Sequence, residues 1–73
     1  MQRQDAFDIL ERIPEIDLVR TCVSLRYGAS ITIDTVLRFE ENYLVVRGRE
    51  AGTNDDCRAF FVPYEEILFM KID

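Results

Sequence analysis

The spacing of hydrophobic residues changes near residue 19, and this change predicts a short helix followed by a β-sheet. Before it, apolar residues recur every three or four positions, as on one face of a helix. These residues are Ala6, Ile9, Leu10 and Ile13. We predict a helix over residues 5–13 that is capped by Asp5 and ended by Pro14. About two and a half turns are too few for a stable isolated helix, so the apolar stripe must pack on the sheet.

Five later segments have the patterns of β-strands. Their predicted bounds are about 18–27, 30–39, 43–49, 57–62 and 67–72. The first two alternate apolar and polar residues, which is typical of strands buried on one face. Their predicted buried faces are Val19, Thr21, Val23, Leu25 and Tyr27, then Ile31, Ile33, Thr35, Leu37 and Phe39. The third strand is apolar on both faces, which predicts burial on both.

These elements predict a mainly β fold in one domain over residues 1–73. A short N-terminal helix is followed by a bent five-stranded antiparallel small barrel. The strands are expected to follow one another as a meander, and the second is long enough to bend and serve both halves of the barrel.

The stretch FFVPYEEILFM, residues 60–70, carries two apolar runs on either side of a short turn. Each run has apolar side chains on both strand faces, and one small core cannot bury both sets. We predict that these strands lie at a sheet edge and pair with a neighbouring subunit. The predicted interface residues are Phe60, Phe61, Val62, Leu68 and Met70. The alternative is that the helix or a bend covers the second set within the monomer.

The charge balance does not favour nucleic acid. The chain has 14 acidic and 9 basic residues and a net charge of −5. Nonspecific nucleic-acid binding depends on clustered Lys and Arg side chains that displace counterions, and the sequence has no such cluster. Arg38, Arg47, Arg49 and Arg58 form a dispersed strip that is expected to pair with nearby acids.

Residues for catalysis or metal binding are scarce. The chain has no histidine and no Gly-rich phosphate loop, and Ser24 and Ser30 have no general base beside them in the sequence. Cys22 and Cys57 lie far apart and are predicted to be semi-buried apolar residues rather than metal ligands or a redox pair. We therefore predict a noncatalytic protein without cofactor or metal.

Three acidic pairs leave an alternative open, namely a divalent cation held by oxygen ligands. The pairs are Glu40-Glu41, Asp55-Asp56 and Glu65-Glu66. None follows the spacing of a calcium loop, so they are expected to be solvated turn residues.

The order of motifs resembles the Sm-like family, which includes the bacterial Hfq proteins. The resemblance covers about residues 5–72: a helix, VSLRYGASITIDTVLRFEENYLVV, a variable loop and FFVPYEEILFMKI. In the first motif, the turn glycine, the aromatic, the acid and the Asn correspond to Gly28, Phe39, Glu40 and Asn42. The family's second-strand glycine is replaced by Ile33, and the last turn lacks both the Arg-Gly and the Lys-His pairs of the family. SH3-like and split-barrel domains share much of this hydrophobic pattern.

The resemblance implies a helix-capped barrel that forms six- or seven-membered rings through its fourth and fifth strands. It also implies nucleotide contacts at residues Glu40, Asn42, Tyr64 and Glu65, with Tyr64 stacking on a base and Asn42 hydrogen-bonding to one. Four acids per subunit at these turns would make the ring opening negative, and we expect this charge to weaken phosphate binding.

Two functional hypotheses follow. The first is a noncatalytic Sm-like homo-oligomer, a ring of five to seven copies, with weak or altered RNA binding at the 40–42 and 63–66 turns. The alternative is a monomeric or dimeric regulatory barrel that binds a basic partner through its acidic face. No apolar run approaches the ~18 residues that span a bilayer, and no signal-peptide core is evident, so a cytoplasmic location is predicted.

Overall fold

A computed structural model describes residues 1–54 and 56–73 of the chain. The fold is mainly β, with a five-stranded antiparallel sheet and a short N-terminal helix, as the sequence predicts. In chain order the elements are α1 (Arg3–Arg12), α2 (Glu15–Leu18), β1 (Thr21–Leu25), β2 (Ser30–Phe39), β3 (Tyr43–Glu50), β4 (Arg58–Pro63), a 3-10 turn (Tyr64–Glu66) and β5 (Ile67–Ile72). None of the helices described is long and apolar enough to cross a membrane.

Helix α1 begins two residues earlier than predicted, and Asp5 is not its cap. Gln2 is the N-cap residue, and Asp5 occupies the third helical position. From there the Asp5 carboxylate accepts a hydrogen bond from the Gln2 backbone N–H at 3.3 Å, the reciprocal half of a capping box. The helix ends at Arg12 because a residue before a proline disfavours helical backbone, and Ile13 is extended.

Residues 15–18 form a single helical turn, α2, which the sequence did not predict and which ends at Leu18, the predicted start of the first strand. Pro14 precedes this turn with extended backbone, and acidic residues in the first turn favour the helix dipole. Strand β1 therefore begins only at Thr21. Val19 and Tyr27, predicted to be buried in that strand, lie outside it and are exposed.

Strand β2 bends because it contains two bulges against β3. The register shifts between Ile33 and Thr35 and again between Val36 and Arg38. Each bulge adds one residue to β2 and reverses the alternation of its side chains. Ile33 is buried as predicted, but after the first bulge Val36 packs on the core instead of Leu37, which is exposed.

The strand order is β4-β3-β2-β1-β5, so the predicted meander holds only as far as β4. Strand β5 does not pair with β4. It pairs with β1, with Val23 opposite Met70 and Ser24 opposite Phe69. The 3-10 turn carries the chain from one side of the bent sheet to the other. Two strands that are consecutive in the sequence therefore form the two opposite edges of the sheet.

The core lies inside this bent sheet, under α1. It consists of Ala6, Leu10, Val23, Leu25, Ile31, Ile33, Leu44, Val46, Val62, Tyr64 and Ile67. Strand β3 is buried on both faces as predicted, since Val45 on the opposite face is also buried. Gly48 lies opposite Ile33, and a Cβ at Gly48 would collide with the backbone carbonyl of Thr32. The sheet can therefore bend at this point only with a residue that has no side chain.

Candidate functional site

The two turns predicted to bind nucleotides lie against each other. The Tyr64 hydroxyl donates a hydrogen bond to the Glu40 backbone carbonyl at 2.7 Å. The Tyr64 backbone N–H donates to the carbonyl of Asn42 at 3.3 Å. The structure thus brings Glu40, Asn42, Tyr64 and Glu65 to one end of the sheet.

Tyr64 does not occupy the exposed position that base stacking requires. Its side chain is only 4% exposed and belongs to the hydrophobic core. Burial raises the pKa of its hydroxyl, because the phenolate would lose hydration. The hydroxyl is committed to Glu40, so this tyrosine joins two turns rather than presenting a ring to a ligand.

The start of the chain is tied to both turns, which the sequence did not predict. Arg3 donates from Nε to the carbonyl of Glu40 at 3.2 Å and from Nη2 to that of Phe39 at 3.4 Å. The Met1 ammonium donates to the carbonyl of Ile67 at 3.2 Å. Arg3 donates to backbone carbonyls rather than to an acid, so the charge pattern of the sequence does not indicate this contact.

An open pocket of about 830 Å³ lies beside the joined turns. One wall is aromatic: the rings of Tyr43 and Phe61 meet edge to face with centroids 6.0 Å apart. Tyr43 and Phe61 project from the outer face of β3 and β4, and they are the aromatic surface that Tyr64 does not provide. Alternation along the two strands could have identified them, since their neighbours in sequence, Leu44 and Val62, face the core.

Charges of both signs surround the pocket. Arg38 lines it and is paired with Glu40 at 2.9 Å, and Arg3 is bound to backbone carbonyls. Glu41 and Glu65 also line the pocket, and neither carboxylate forms an ion pair with any residue in the described part of the chain. The carboxylates left at the pocket are therefore available to repel a phosphate or attract a cation.

The two sheet edges carry exposed apolar side chains. Within residues 1–54 and 56–73, β4 pairs only with β3 and β5 pairs only with β1. Phe61 on β4 is 64% exposed and Phe69 on β5 is 51% exposed, and Leu68 and Ile72 are about half exposed. These four residues, Phe61, Leu68, Phe69 and Ile72, are called the edge residues below.

The edge residues differ from the predicted interface set. Phe61 and Leu68 are exposed, as an interface requires. Val62 is instead buried in the monomer core, and Phe60 and Met70 pack against that core. In β5 the reason is a register shift opposite Ser24 and Leu25, which turns both Ile67 and Met70 inward. In β4 the core simply takes the alternate residues, leaving Phe61 outside.

The arginine strip is only partly neutralised in the way predicted. Among the described residues, Arg38 is the one member of the strip with an ion pair. Arg49 donates to the Cys57 Sγ at 3.4 Å, and this hydrogen bond raises the pKa of Arg49. Arg47 is exposed on the outer face of β3.

Possible ligands for a metal are dispersed. No group of three or more His, Cys, Asp or Glu residues in the described chain is placed to hold an ion. Asp55 of the second acidic pair lies outside the described residues. Cys22 is buried and Cys57 is partly exposed, and both are free thiols.

No known protein family, characterised protein or solved structure matches this chain. The resemblance to the Sm-like family therefore stays a prediction from the motifs.

Proposed function

We propose that this chain is a noncatalytic, cytoplasmic Sm-like module that assembles head to tail into a ring of five to seven copies. The observation that supports the proposal is the position of β4 and β5 at opposite edges of one bent sheet. A contact that joins two different surfaces of the same chain repeats from copy to copy and closes into a ring when the rotation allows. Adding β5 of one copy to β4 of the next would make the sheet continuous.

The edge residues make an open edge unfavourable in the isolated chain. Edge strands are normally protected by charge, proline or bulges, because unpaired backbone groups recruit other chains. Here the protecting features are Arg58 and Pro63 at the two ends of β4, and Lys71 and the bulge in β5. Phe61 and Phe69 remain exposed between these features.

The free energy of association requires both strand pairing and apolar burial. Fully burying a Phe or Leu side chain contributes about 1.5–3 kcal/mol, and the edge residues are already about half buried. Association costs at least ~4 kcal/mol of rigid-body freedom. Side-chain burial at one junction offsets little more than this cost, so backbone hydrogen bonds and the second junction made by each copy in a closed ring must add to it.

RNA contact is a weaker, secondary part of the proposal. Asn42 is exposed at the pocket, and Tyr43 and Phe61 offer aromatic surface. Glu41 and Glu65 lie beside them, and a ring would repeat these carboxylates in every subunit. Because phosphate contacts supply most nonspecific affinity, we expect repulsion to keep RNA binding weak at physiological salt.

The same carboxylates favour a second candidate from another class. A monomeric or dimeric regulatory barrel could bind a basic partner through Glu41 and Glu65, in keeping with the net charge of −5. The oligomeric state separates the two candidates, because the ring needs both edges and the regulatory barrel needs neither.

Size-exclusion chromatography with light scattering tests the proposal. We expect a mass five to seven times that of the 8.6 kDa chain, unchanged over a tenfold dilution at micromolar concentration. A folded species of one chain mass would overturn the ring and leave the regulatory barrel.

A further inference from the structure

We infer that the pocket beside the joined turns binds the guanidinium group of an arginine side chain presented by a partner protein. The site lies within one chain, so it does not require the ring. It specifies the chemical group that the basic partner of the second candidate function would present.

The aromatic wall of the pocket is fixed by the pairing of β3 with β4. Tyr43 is paired with Pro63 and Val45 with Phe61, so Tyr43 and Phe61 are diagonal neighbours on the outer face of the sheet. Their rings are perpendicular, and both side chains are exposed. Two perpendicular rings form a corner in which a cation contacts π surface. Arginine uses such a surface best, because its planar guanidinium also stacks on it.

The cationic groups at the pocket are already bonded within the chain. Arg38 is paired with the Glu40 carboxylate, and Arg3 donates to two backbone carbonyls. The Met1 ammonium donates to a third carbonyl. A phosphate or carboxylate ligand would therefore compete with bonds that the chain makes to itself.

Two carboxylates at the pocket have no such partner. Glu41 and Glu65 line it and are exposed, and no hydrogen bond or ion pair to either carboxylate is formed within residues 1–54 and 56–73. Each follows or precedes one end of the backbone hydrogen bond between Tyr64 and Asn42, so the joined turns hold both at the same pocket. What the pocket lacks is a hydrogen-bond donor.

This combination of π surface and free carboxylates distinguishes between cations. A guanidinium donates two parallel hydrogen bonds to a carboxylate while its flat face stacks on a ring. A lysine ammonium donates but has no flat face, and a quaternary ammonium has no N–H to donate. Only the guanidinium satisfies both the aromatic wall and the carboxylates.

Charge alone would not select this ligand. Three cationic groups and three carboxylates lie at or beside the pocket: Met1, Arg3, Arg38, Glu40, Glu41 and Glu65. Their formal charges cancel, so recognition depends on stacking and directed hydrogen bonds rather than on a strong local field. The volume of about 830 Å³ is sufficient for a side chain and the peptide backbone that carries it.

Chemical-shift mapping tests the site with a small probe, the amide of N-acetylarginine. We expect shifts at the backbone amides of Glu41, Tyr43, Phe61 and Glu65 in the isotopically labelled chain at low salt. A ligand of about 15 non-hydrogen atoms should have a roughly millimolar dissociation constant. The matching lysine amide should bind at least about threefold more weakly, because it does not stack. Equal binding of the lysine amide, tighter binding of its trimethylated form, or no shifts at these residues overturns the inference.

Phe61→Leu tests the aromatic wall, because leucine keeps apolar bulk but has no π surface. It should weaken binding of the arginine amide at least about threefold. Phe61 is 64% exposed, so the variant should keep its circular dichroism spectrum. Tyr27→Leu is the matched control, since Tyr27 is exposed and does not line this pocket. Equal effects of the two substitutions would refute the role of the wall.

Glu41→Gln combined with Glu65→Gln tests the carboxylates and should also weaken binding at least about threefold. The matched control is Glu11→Gln combined with Glu15→Gln, which removes the same charge from exposed positions in α1 and α2. Equal weakening by both pairs would show a general charge effect instead of a site.

Light scattering on the same samples separates this site from the ring. A ring-sized assembly that does not bind the arginine amide removes the site and leaves the ring. A monomer that binds it removes the ring and leaves the site.

Discussion

The Tyr64 hydroxyl lies 2.7 Å from the backbone carbonyl of Glu40 and joins two turns that are 24 positions apart in the sequence. The ring of Tyr64 is part of the core, so the hydrogen bond anchors the turn between β2 and β3 to the connection between the two edge strands. The Tyr64 side chain therefore helps to fix both the shape of the pocket and the crossing from β4 to β5.

Tyr64→Phe should lower the free energy of unfolding by about 1 kcal/mol, the usual net contribution of one hydrogen bond. The loss should not be larger, because Arg3 also donates to the Glu40 carbonyl and leaves it partly satisfied. Urea denaturation at fixed protein concentration measures the change. The control is Tyr27→Phe, since Tyr27 is 71% exposed and should lose nothing measurable. Equal effects at both positions would contradict the anchoring role.

Alkaline pH should weaken the fold through the same residue. Burial raises the pKa of Tyr64 in the folded chain, whereas the unfolded chain titrates near the ordinary value of 10. The folded state therefore holds the phenol proton more tightly, and this contribution to stability is complete below about pH 10 and is lost as pH rises further. The measurement is the difference in free energy of unfolding between the wild type and Tyr64→Phe from pH 8 to 11.5. A difference that stays constant over this range would argue against the raised pKa.

Gly48→Ala should be strongly destabilising, because the added Cβ meets the backbone carbonyl of Thr32 and backbone cannot rotate away. We expect a loss of about 3 kcal/mol, at the upper end for overpacking. Gly52→Ala is the comparison: it has open space and a φ of 86°, so it should cost only the strain of a left-handed backbone, about 1–2 kcal/mol. Thermal or urea unfolding followed by circular dichroism would show the order, and a milder effect at Gly48 than at Gly52 would refute it.

Phe61→Arg combined with Phe69→Arg should convert the assembly to monomers that keep their circular dichroism spectrum. Both side chains are exposed in the single chain, so charge there opposes the junction but not the fold. Ile16→Arg is the matched control, because Ile16 is 79% exposed on α2 and lies on neither edge strand. Met70→Arg should instead unfold the chain, since Met70 packs on the core. Light scattering on all four proteins decides between these outcomes.

Glu41→Gln combined with Glu65→Gln should strengthen RNA binding by about 3–10-fold at low salt, because two carboxylates near the aromatic wall no longer repel phosphate. Titration of uridine-rich and adenine-rich oligonucleotides measures this. Arg47→Gln is the comparison: it removes a positive charge from the outer face of β3, so it should weaken RNA binding rather than strengthen it. Tight binding by the wild type at physiological salt would show that the acidic turns do not control affinity.

The sequence predicted the strands well because local hydrophobic patterns determine them, such as the continuous apolar run from Leu44 to Val46, which is buried on both faces. The sequence pattern predicted that Leu37 rather than Val36 would pack on the core. This was wrong because bulges form where a whole sheet must bend, and the local sequence does not reveal them. The predicted pairing of β5 with β4 was wrong for a related reason. Adjacency along the chain favoured β4, whereas the three-dimensional arrangement pairs β5 with β1.

The structure brings the two turns of the candidate site together, but it buries one of the residues that the sequence predicted to contact a ligand. Turn residues such as Glu65 are recognisable from local composition, and the two turns do meet. The burial of Tyr64 depends on the path of the connection beneath it, which the turn composition does not reveal. The position of a glycine was also not predictable. Sm-like proteins have a glycine in the second strand where this chain has Ile33, and here the glycine is Gly48, which lies opposite Ile33 on the neighbouring strand. A close approach of two strands needs one small residue, and either strand can supply it.

In the proposed assembly, the two bulges in β2 would also set how many copies can close a ring. They bend the sheet whose opposite borders are β4 and β5, so they fix the angle between those borders. A closed circle of five to seven members turns by roughly 50–70° at each member. On the proposed assembly, deleting Asp34 or Leu37 would straighten the sheet and change the number of members, even with Phe61 and Phe69 untouched.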